Sequence, residues 1–271
     1  MTTTRIGKRF ESLAVTMRSA LIPYIMAGDP LPDATVPLMH TLVESGGDLI
    51  ELGVPFSDPM ADGPVIQAAS ERALEHRVNL HDVIAMVDEF RRDDSDTPVI
   101  LMTYQNPIEA MGEMQFVNAA TLAGVDGVLV VDLPIEEADS LLTAASGKAL
   151  DIIFLVSPTT SADRLNSIAK SASGFVYYVS LKGVTGAKNI DTAHIADKVQ
   201  QFKNIITIPI AVGFGIHDAQ SAAQVAQSAD AVVVGSAIVR LVEQNRTADY
   251  QKNIADFIVG LRRAMDRKTI E

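Results

Sequence analysis

The chain has 271 residues, with 34 acidic and 22 basic side chains, and its formal net charge at pH 7 is −12. This acidic balance argues against a nucleic-acid-binding surface, and the absence of cysteine excludes disulfides, thiolate metal sites and cysteine nucleophiles. The longest apolar stretches hold about ten residues, half of the roughly 20 that a membrane span requires, so we expect no membrane-spanning segment.

Eight short apolar runs follow one another along the chain, and helical patterns separate them. The runs are rich in Val and Ile and nearly continuous, which is typical of strands that are covered on both faces in a parallel sheet. Most runs begin about 23 to 32 residues after the preceding one, which is the length of a βα unit. The predicted strands are 20–26, 48–52, 99–103, 127–131, 151–155, 175–179, 206–212 and 231–234.

The segments between the runs carry apolar residues at helical spacing, and several begin with acidic or hydroxyl side chains. Before the first run, Phe10, Leu13, Ala14 and Met17 follow the i, i+3, i+4, i+7 pattern of an extra amphipathic helix. Further helices are predicted over 33–45, 64–74, 81–91, 136–145, 161–170 and 254–265.

Eight βα units in one chain of this length predict an α/β fold, a (β/α)8 TIM barrel with an extra N-terminal helix, as a single domain over residues 1–271. An open doubly wound sheet is the alternative. Both folds bind ligands at the C-terminal ends of their strands, so the residues that follow each run are the candidates for chemistry.

Glu51 is an ionisable residue near the C-terminal end of the second apolar run. Such a side chain is costly to bury unless it is paired or functional, and burial would raise its pKa toward the range that suits a general acid or base. A glutamate paired with a buried cation is the alternative. In the proline-rich loop that follows, Asp58 or Asp62 could be held in a fixed pose. Asp62-Gly63-Pro64 also has the pattern of a helix N-cap, so capping is the competing interpretation of Asp62.

Glycine-rich turns follow the seventh and eighth runs. Val212-Gly-Phe-Gly-Ile216 precedes a predicted helix start at His217-Asp218, and Val234-Gly-Ser-Ala237 leads directly into a helix. Glycines let the backbone approach a ligand, helix N-termini offer N–H donors, and barrels often bind phosphate between these two loops. The pair predicts a phosphate site made of main-chain amides, although each turn alone could serve only tight packing. The loop 180–189 after the sixth run could close over a substrate or have no role.

No metal site is predicted, because none of the five histidines has a partner at metal-ligand spacing. The sequence also lacks the G-x-S-x-G elbow, the Walker loop and the dinucleotide fingerprint. Lys182 could form a Schiff base, but a lysine in a glycine-rich loop is usually exposed and protonated.

Several segments taken together resemble the tryptophan synthase alpha subunit family. The resemblance runs from about residue 8 to about residue 265, and its longest block is Glu51–Gln67. The other segments are Pro23–Pro30, Gly183–Gly186, and Val212–Ile216 with Gly235-Ser236.

The resemblance implies a (β/α)8 barrel that cleaves indole-3-glycerol phosphate into indole and glyceraldehyde 3-phosphate by a retro-aldol reaction. The family's catalytic glutamate and aspartate fall on Glu51 and Asp62. Its mobile-loop threonine, thought to meet the catalytic aspartate on loop closure, falls on Thr185, and Lys182 is the nearest cation to where several relatives have an arginine. The residues implied to bind the substrate are Tyr24 (often phenylalanine in relatives), Tyr177, Thr185, Gly186, Phe214, Gly215, Gly235 and Ser236.

The resemblance also implies a place in tryptophan biosynthesis and a partner. That partner is a pyridoxal-phosphate-dependent tryptophan synthase beta subunit, which receives indole through a tunnel in an alpha2beta2 complex. The cofactor belongs to the beta subunit, so none is expected in this chain. The expected contact surface includes Pro55–Pro59 and the loops after runs three to six. We expect a cytoplasmic protein, because cysteine is absent and the first ten residues lack the apolar region of a secretory signal.

Two other functions stay open at this point. One is a related phosphate-binding barrel isomerase, which commonly places an acid and a base at the ends of strands one and seven. The end of the first run, Met26-Ala27-Gly28, has no ionisable group, which weakens this alternative. The other is a catalytically silent subunit that regulates a partner enzyme, against which the presence of both Glu51 and Asp62 argues.

Overall fold

Eight parallel strands close into a barrel in chain order, and the last strand pairs with the first. The computed structural model describes residues 4–179, 192–213, 215–244 and 250–266. The strands are β1 (Ala20–Met26), β2 (Ile50–Gly53), β3 (Val99–Thr103), β4 (Gly127–Val130), β5 (Asp151–Val156), β6 (Val176–Val179), β7 (Ile210–Gly213) and β8 (Ala231–Val234). The predicted fold class is thereby confirmed.

Helices surround the barrel, and one precedes it. Two short 3-10 helices, Pro32–Ala34 and Ile135–Glu137, lead into helices of the outer ring. The α-helices are α1 (Arg5–Val15), α2 (Thr35–Glu44), α3 (Pro64–Glu75), α4 (Leu80–Phe90), α5 (Gln105–Met111), α6 (Glu113–Ala123), α7 (Asp139–Ala145), α8 (Ala162–Ser171), α9 (Thr192–Lys203), α10 (Ala219–Ala226), α11 (Ser236–Gln244) and α12 (Tyr250–Asp266).

The extra N-terminal helix α1 closes the N-terminal end of the barrel. Its buried residues Ile6, Phe10 and Leu13 join the apolar cluster inside the barrel. Next to the helix, Thr4 donates a hydrogen bond to Asp151 at the start of β5, at 2.7 Å. The helix ends earlier than predicted: Met17 lies beyond it with a φ of 52° and is 76% exposed, so its assignment to the apolar face was wrong.

Three buried or half-buried aspartates secure the same end of the barrel. Each aspartate lies just before one strand. Its carboxylate accepts a hydrogen bond, at 2.8 to 2.9 Å, from the backbone N–H of the first or second residue of the preceding strand in the chain. A basic side chain from the outer ring of helices pairs with each carboxylate. The aspartates are Asp48, Asp126 and Asp230. With one end plugged and cross-linked in this way, the C-terminal mouth is left for ligands, as is usual in such barrels.

Candidate active site

Glu51 lies on β2 with its side chain inside the barrel. Its neighbours Ile50 and Leu52 pack between the strands and the helices, whereas Leu49 packs in the inner cluster, so the alternation of a strand turns Glu51 inward. The residue is 2% exposed, and its Oε1 has no hydrogen-bond partner in the described part of the chain. No lysine or arginine within the described ranges pairs with it, and the structure therefore gives no support to a buried ion pair.

The environment of Glu51 favours its protonated form. Burial raises the pKa of its carboxyl to about 8, and the nearby charge of Asp62 adds to the effect. A carboxylic acid of this kind keeps its proton at neutral pH and can still release it, which is the requirement for a group that both donates and accepts a proton.

Asp62 lies in the loop between β2 and α3 and is half-buried. The hydroxyl of Tyr104 lies 3.1 Å from its Oδ2. Burial raises the pKa of Asp62 to about 6, and the hydrogen bond from Tyr104 opposes this rise. At neutral pH Asp62 is therefore ionised while Glu51 is protonated, so the two carboxyls are in different states at the same site.

Asp62 does not cap the following helix. Gly63 occupies the N-cap position of α3, and Pro64 is the first helical residue. The capping interpretation of Asp62 is wrong because the helix begins one residue later than that pattern requires. The carboxylate turns instead to Tyr104, and the Asp62 N–H is bonded to the Pro59 carbonyl at 3.0 Å.

Tyr24 and Tyr177 bring two phenols to the mouth of the barrel, each over a glycine. A Cβ at Gly53 would lie 2.2 Å from the Tyr24 oxygen, and a Cβ at Gly213 would lie 2.1 Å from the Tyr177 oxygen. These glycines end β2 and β7, so the absence of their side chains makes the space that the phenols fill. Burial raises the pKa of both phenols, and the charges of Glu51 and Asp62 raise it further. Both hydroxyls are consequently neutral.

The predicted phosphate region lies next to Tyr24. Gly235 follows β8, which pairs with β1, and a Cβ on Gly235 would lie 3.4 Å from the Tyr24 Cβ. Ser236 is the first residue of α11, and Gly215 has a φ of 77°, which favours glycine. By contrast, Asp218 caps α10 with its own side chain, so that helix start already has an anionic partner.

The remaining substrate-binding predictions cannot be placed. Thr185, Gly186 and Phe214 lie outside the described residues, as does Lys182 in the loop after β6.

Tyr104 is a site residue that the sequence interpretation missed. It follows β3 directly, is 3% exposed and contacts Asp62. The available signal was its position, because the residue after a barrel strand is where functional side chains are expected.

Within residues 4–179, 192–213, 215–244 and 250–266, no three His, Cys, Asp or Glu side chains form a group that could hold a metal ion. In the same part of the chain, no helix is both long enough and apolar enough to cross a bilayer.

Comparison with known proteins gives a consistent result over nearly the whole chain. The family model described as tryptophan synthase alpha chain matches residues 10–267. The tryptophan synthase alpha chain of Hydrogenovibrio crunogenus is 54% identical over 266 residues, which cover 97% of this chain and 98% of that one.

Solved structures agree with the sequence relatives. The alpha subunit of tryptophan synthase from Legionella pneumophila superposes with a TM-score of 0.92 at 45% identity, over 97% of this chain and 98% of that one. A chain of Mycobacterium tuberculosis tryptophan synthase superposes with a TM-score of 0.89 at 36% identity, over 98% of this chain and 100% of that one.

Proposed function

The chain belongs to the tryptophan synthase alpha chain family, whose alpha subunit is a lyase that cleaves indole-3-glycerol phosphate, and we propose that Glu51 and Asp62 carry out this cleavage here. The observation that carries the proposal is the placement of Glu51, buried inside the C-terminal mouth with a raised pKa and with no cationic partner among the described residues. Asp62 supports it as a second carboxyl with a lower pKa at the same mouth.

The first step is protonation of the indole ring. The bond to be broken joins indole C3 to the glycerol carbon that bears a hydroxyl. Glu51 donates its proton to C3, which places positive charge on the ring nitrogen. The ionised Asp62 accepts a hydrogen bond from the indole N–H and stabilises this charge, which develops only as the reaction proceeds, so the interaction lowers the barrier rather than only tightening binding.

The second step breaks the carbon–carbon bond. Glu51, now ionised, takes the proton of the glycerol hydroxyl, and the electrons of that O–H bond form the aldehyde of glyceraldehyde 3-phosphate. The electrons of the carbon–carbon bond return to the ring and regenerate neutral indole. Glu51 ends protonated, so one carboxyl serves both steps and returns to its starting state.

The phosphate end of the substrate fixes its orientation. We place the phosphate against the turns at Gly215 and Gly235-Ser236, with Gly186 and Phe214 as the further contacts. Because Gly235 is packed beside Tyr24, and Tyr24 is the register partner of Glu51, an anchored phosphate would hold the indole end close to Glu51. Tyr24 and Tyr177 would contact the substrate, and Thr185 would meet Asp62 when the loop closes.

No cofactor takes part in these steps, and we propose that this chain has none. An isomerase would need an ionisable group at the end of β1, where Met26 and Ala27 are buried and apolar. The lack of cysteine accords with a cytoplasmic location.

The test compares Glu51→Gln and Asp62→Asn with Asp58→Asn, a change of the same kind at an exposed position of the same loop. Indole release from indole-3-glycerol phosphate should fall by several orders of magnitude in Glu51→Gln and strongly in Asp62→Asn. Asp58→Asn should stay near wild type, and glycerol 3-phosphate should bind all three proteins alike. Near-normal turnover in Glu51→Gln would remove that residue from the catalytic role.

Membership of the family implies a beta-subunit partner. We propose that this partner is the pyridoxal-phosphate-dependent subunit, that it receives indole through a tunnel in an alpha2beta2 complex, and that it docks on the catalytic face. The region Pro55–Pro59 and the loops after β3 to β6 would form the contact. Met60, next to that region, is 84% exposed, which suits a residue that a partner covers.

The partner proposal is tested by changing this methionine. Met60→Lys should weaken association with the beta subunit, measured by titration calorimetry. Leu122→Lys is the control, because Leu122 is 89% exposed but lies near the C-terminal end of α6, which points toward the opposite end of the barrel. Equal affinity of the Met60 variant and the control would overturn this placement of the interface.

A further inference from the structure

We propose that Tyr104 is a positioning residue for Asp62. The Tyr104 hydroxyl holds one carboxylate oxygen of Asp62 and leaves the other for the indole N–H of the substrate. The inference rests on the role proposed above for Asp62 and extends it to a third residue.

The direction of the hydrogen bonds follows from counting hydrogens. The Ala61 N–H points to the Tyr104 oxygen at 3.0 Å, and a backbone N–H can only donate. The phenol has a single hydrogen, and the Asp62 Oδ2 lies 3.1 Å away. Tyr104 therefore accepts from Ala61 and donates to Asp62. A carboxylate that receives this hydrogen at Oδ2 has Oδ1 left to accept a second one.

The phenol itself is fixed from two sides. Tyr104 follows β3 and is 3% exposed, and its ring stacks on Phe56 with 5.0 Å between ring centroids. The backbone of Phe56 is held in turn by the hydroxyl of Ser70 on α3, which accepts from the Phe56 N–H at 2.8 Å and donates to its carbonyl at 2.9 Å. The loop that carries Asp62 is thus tied to β3 through Tyr104 and to α3 through Ser70.

Among the described groups that face Asp62, Tyr104 is the one that favours the charged form of its carboxyl. Glu51 on β2, when it is itself ionised, repels the charge of Asp62. Tyr24 on β1 and Tyr177 on β6 are neutral phenols whose pKa the Asp62 charge raises. The charge of Asp132, which follows β4, raises the pKa of the Tyr104 hydroxyl. The hydrogen bond from Tyr104 lowers the pKa of Asp62 against the effect of burial. Loss of that hydroxyl should raise the pKa of Asp62.

Tyr104→Phe removes the hydroxyl and keeps the ring. We expect the acidic limb of the kcat/KM profile to move up by about one pH unit and kcat/KM at pH 5 to fall about tenfold, the scale of one charge-assisted hydrogen bond. Binding of glycerol 3-phosphate should not change. Tyr178→Phe is the matched control, because Tyr178 packs against Phe202 on the outer side of the barrel; its profile should match wild type.

A second variant should shift the acidic limb of the kcat/KM profile in the opposite direction. Incorporation of 3-fluorotyrosine at position 104 gives a more acidic hydroxyl that donates more strongly, so the acidic limb should move down. In every protein the carboxyl of Asp62 is titrated directly by carbon-13 NMR, which does not depend on turnover.

The outcomes separate the two proposals. The positioning role is overturned if the titration of Asp62 is the same in wild type and Tyr104→Phe, whatever the activity, because a merely structural loss would lower turnover without moving the titration. If Asp62 titrates higher in the variant but turnover follows wild type at every pH, the positioning of Asp62 stands and its proposed catalytic role fails.

Discussion

Tyr24 on β1 and Glu51 on β2 are register partners in the barrel, and both side chains are buried in its mouth. The Tyr24 oxygen extends over Gly53, two residues beyond Glu51 on the same face of β2, and the ring base adjoins Gly235. This pairing places the proposed proton carrier, an aromatic surface and the start of the proposed phosphate region on three neighbouring strands. The barrel itself therefore fixes the distance between Glu51 and the proposed phosphate region.

The pH dependence of the reaction should be bell-shaped. Glu51 must be protonated to donate to C3, so activity should fall as pH rises through about 8, whereas Asp62 must be ionised, so activity should fall as pH drops through about 6. We expect kcat/KM to be highest between these values. Binding of glycerol 3-phosphate over the same range is the control for titration of the phosphate, and a profile without a decline above pH 8 would contradict the assignment of Glu51.

The stability of the fold should fall as pH rises from about 4.5 to about 8 on account of Glu51. Its pKa is raised in the folded chain, so the folded state keeps a proton that the unfolded state has lost over this range. The free energy of unfolding falls by about 1.4 kcal/mol for each pH unit in this range, and the fall stops near the pKa of Glu51 in the folded chain. Glu51→Gln should remove it, so the variant should gain stability relative to wild type as pH rises. Urea denaturation at pH 5 and pH 8 measures this; a difference between the proteins that does not change with pH would contradict it.

Gly213→Ala should displace the Tyr177 phenol from the mouth of the barrel. The added Cβ would lie 2.1 Å from the phenol oxygen and 2.5 Å from the carbon that bears it, so one of the two residues must move. We expect a rise in KM and a fall in kcat for indole-3-glycerol phosphate. Gly260→Ala is the control, since a Cβ there meets nothing within 4 Å. Wild-type kinetics in Gly213→Ala would show that Tyr177 does not shape the substrate site.

Arg72 and Asp29 form the buried ion pair that joins α3 to the turn after β1. Two guanidinium nitrogens of Arg72 lie 2.7 Å from the two oxygens of Asp29, and the residues are 9% and 3% exposed. Arg72→Met leaves the Asp29 charge buried and unpaired, which should cost about 3 to 5 kcal/mol of unfolding free energy. Arg92→Met is the control, because Arg92 lies in an exposed pair with Asp88 at 3.7 Å and should lose less than about 1 kcal/mol. Equal shifts in the urea midpoint of Arg72→Met and Arg92→Met would contradict the stabilising role of the Arg72–Asp29 pair.

The barrel was predictable because its strands are apolar on both faces. β1, β3 and β8 match the predicted bounds. β2 and β7 begin later than their apolar runs, at Ile50 and Ile210, because apolar residues continue into the loops before them. Glu51 was found from sequence because a charge within such a run is rare.

The parts of the site that depend on loop conformation were not predictable. The Asp62-Gly63-Pro64 pattern fits a cap equally well at either of its first two residues, and the backbone between Pro59 and Gly63 decides the outcome. Tyr104 was missed because its partner is 42 residues away in the chain, and local periodicity carries no information on such a contact. Tyr24 and Tyr177 were named from the family resemblance, but their positions over Gly53 and Gly213 depend on the pairing of neighbouring strands in the closed barrel.

The most direct measurement is a carbon-13 NMR titration of the Glu51 carboxyl in the full-length chain, assigned with Glu51→Gln. We expect a midpoint near pH 8, because burial and the charge of Asp62 both favour the protonated acid. A midpoint near the ordinary value of about 4.5 would mean that Glu51 is ionised at neutral pH and has no proton to give to indole C3.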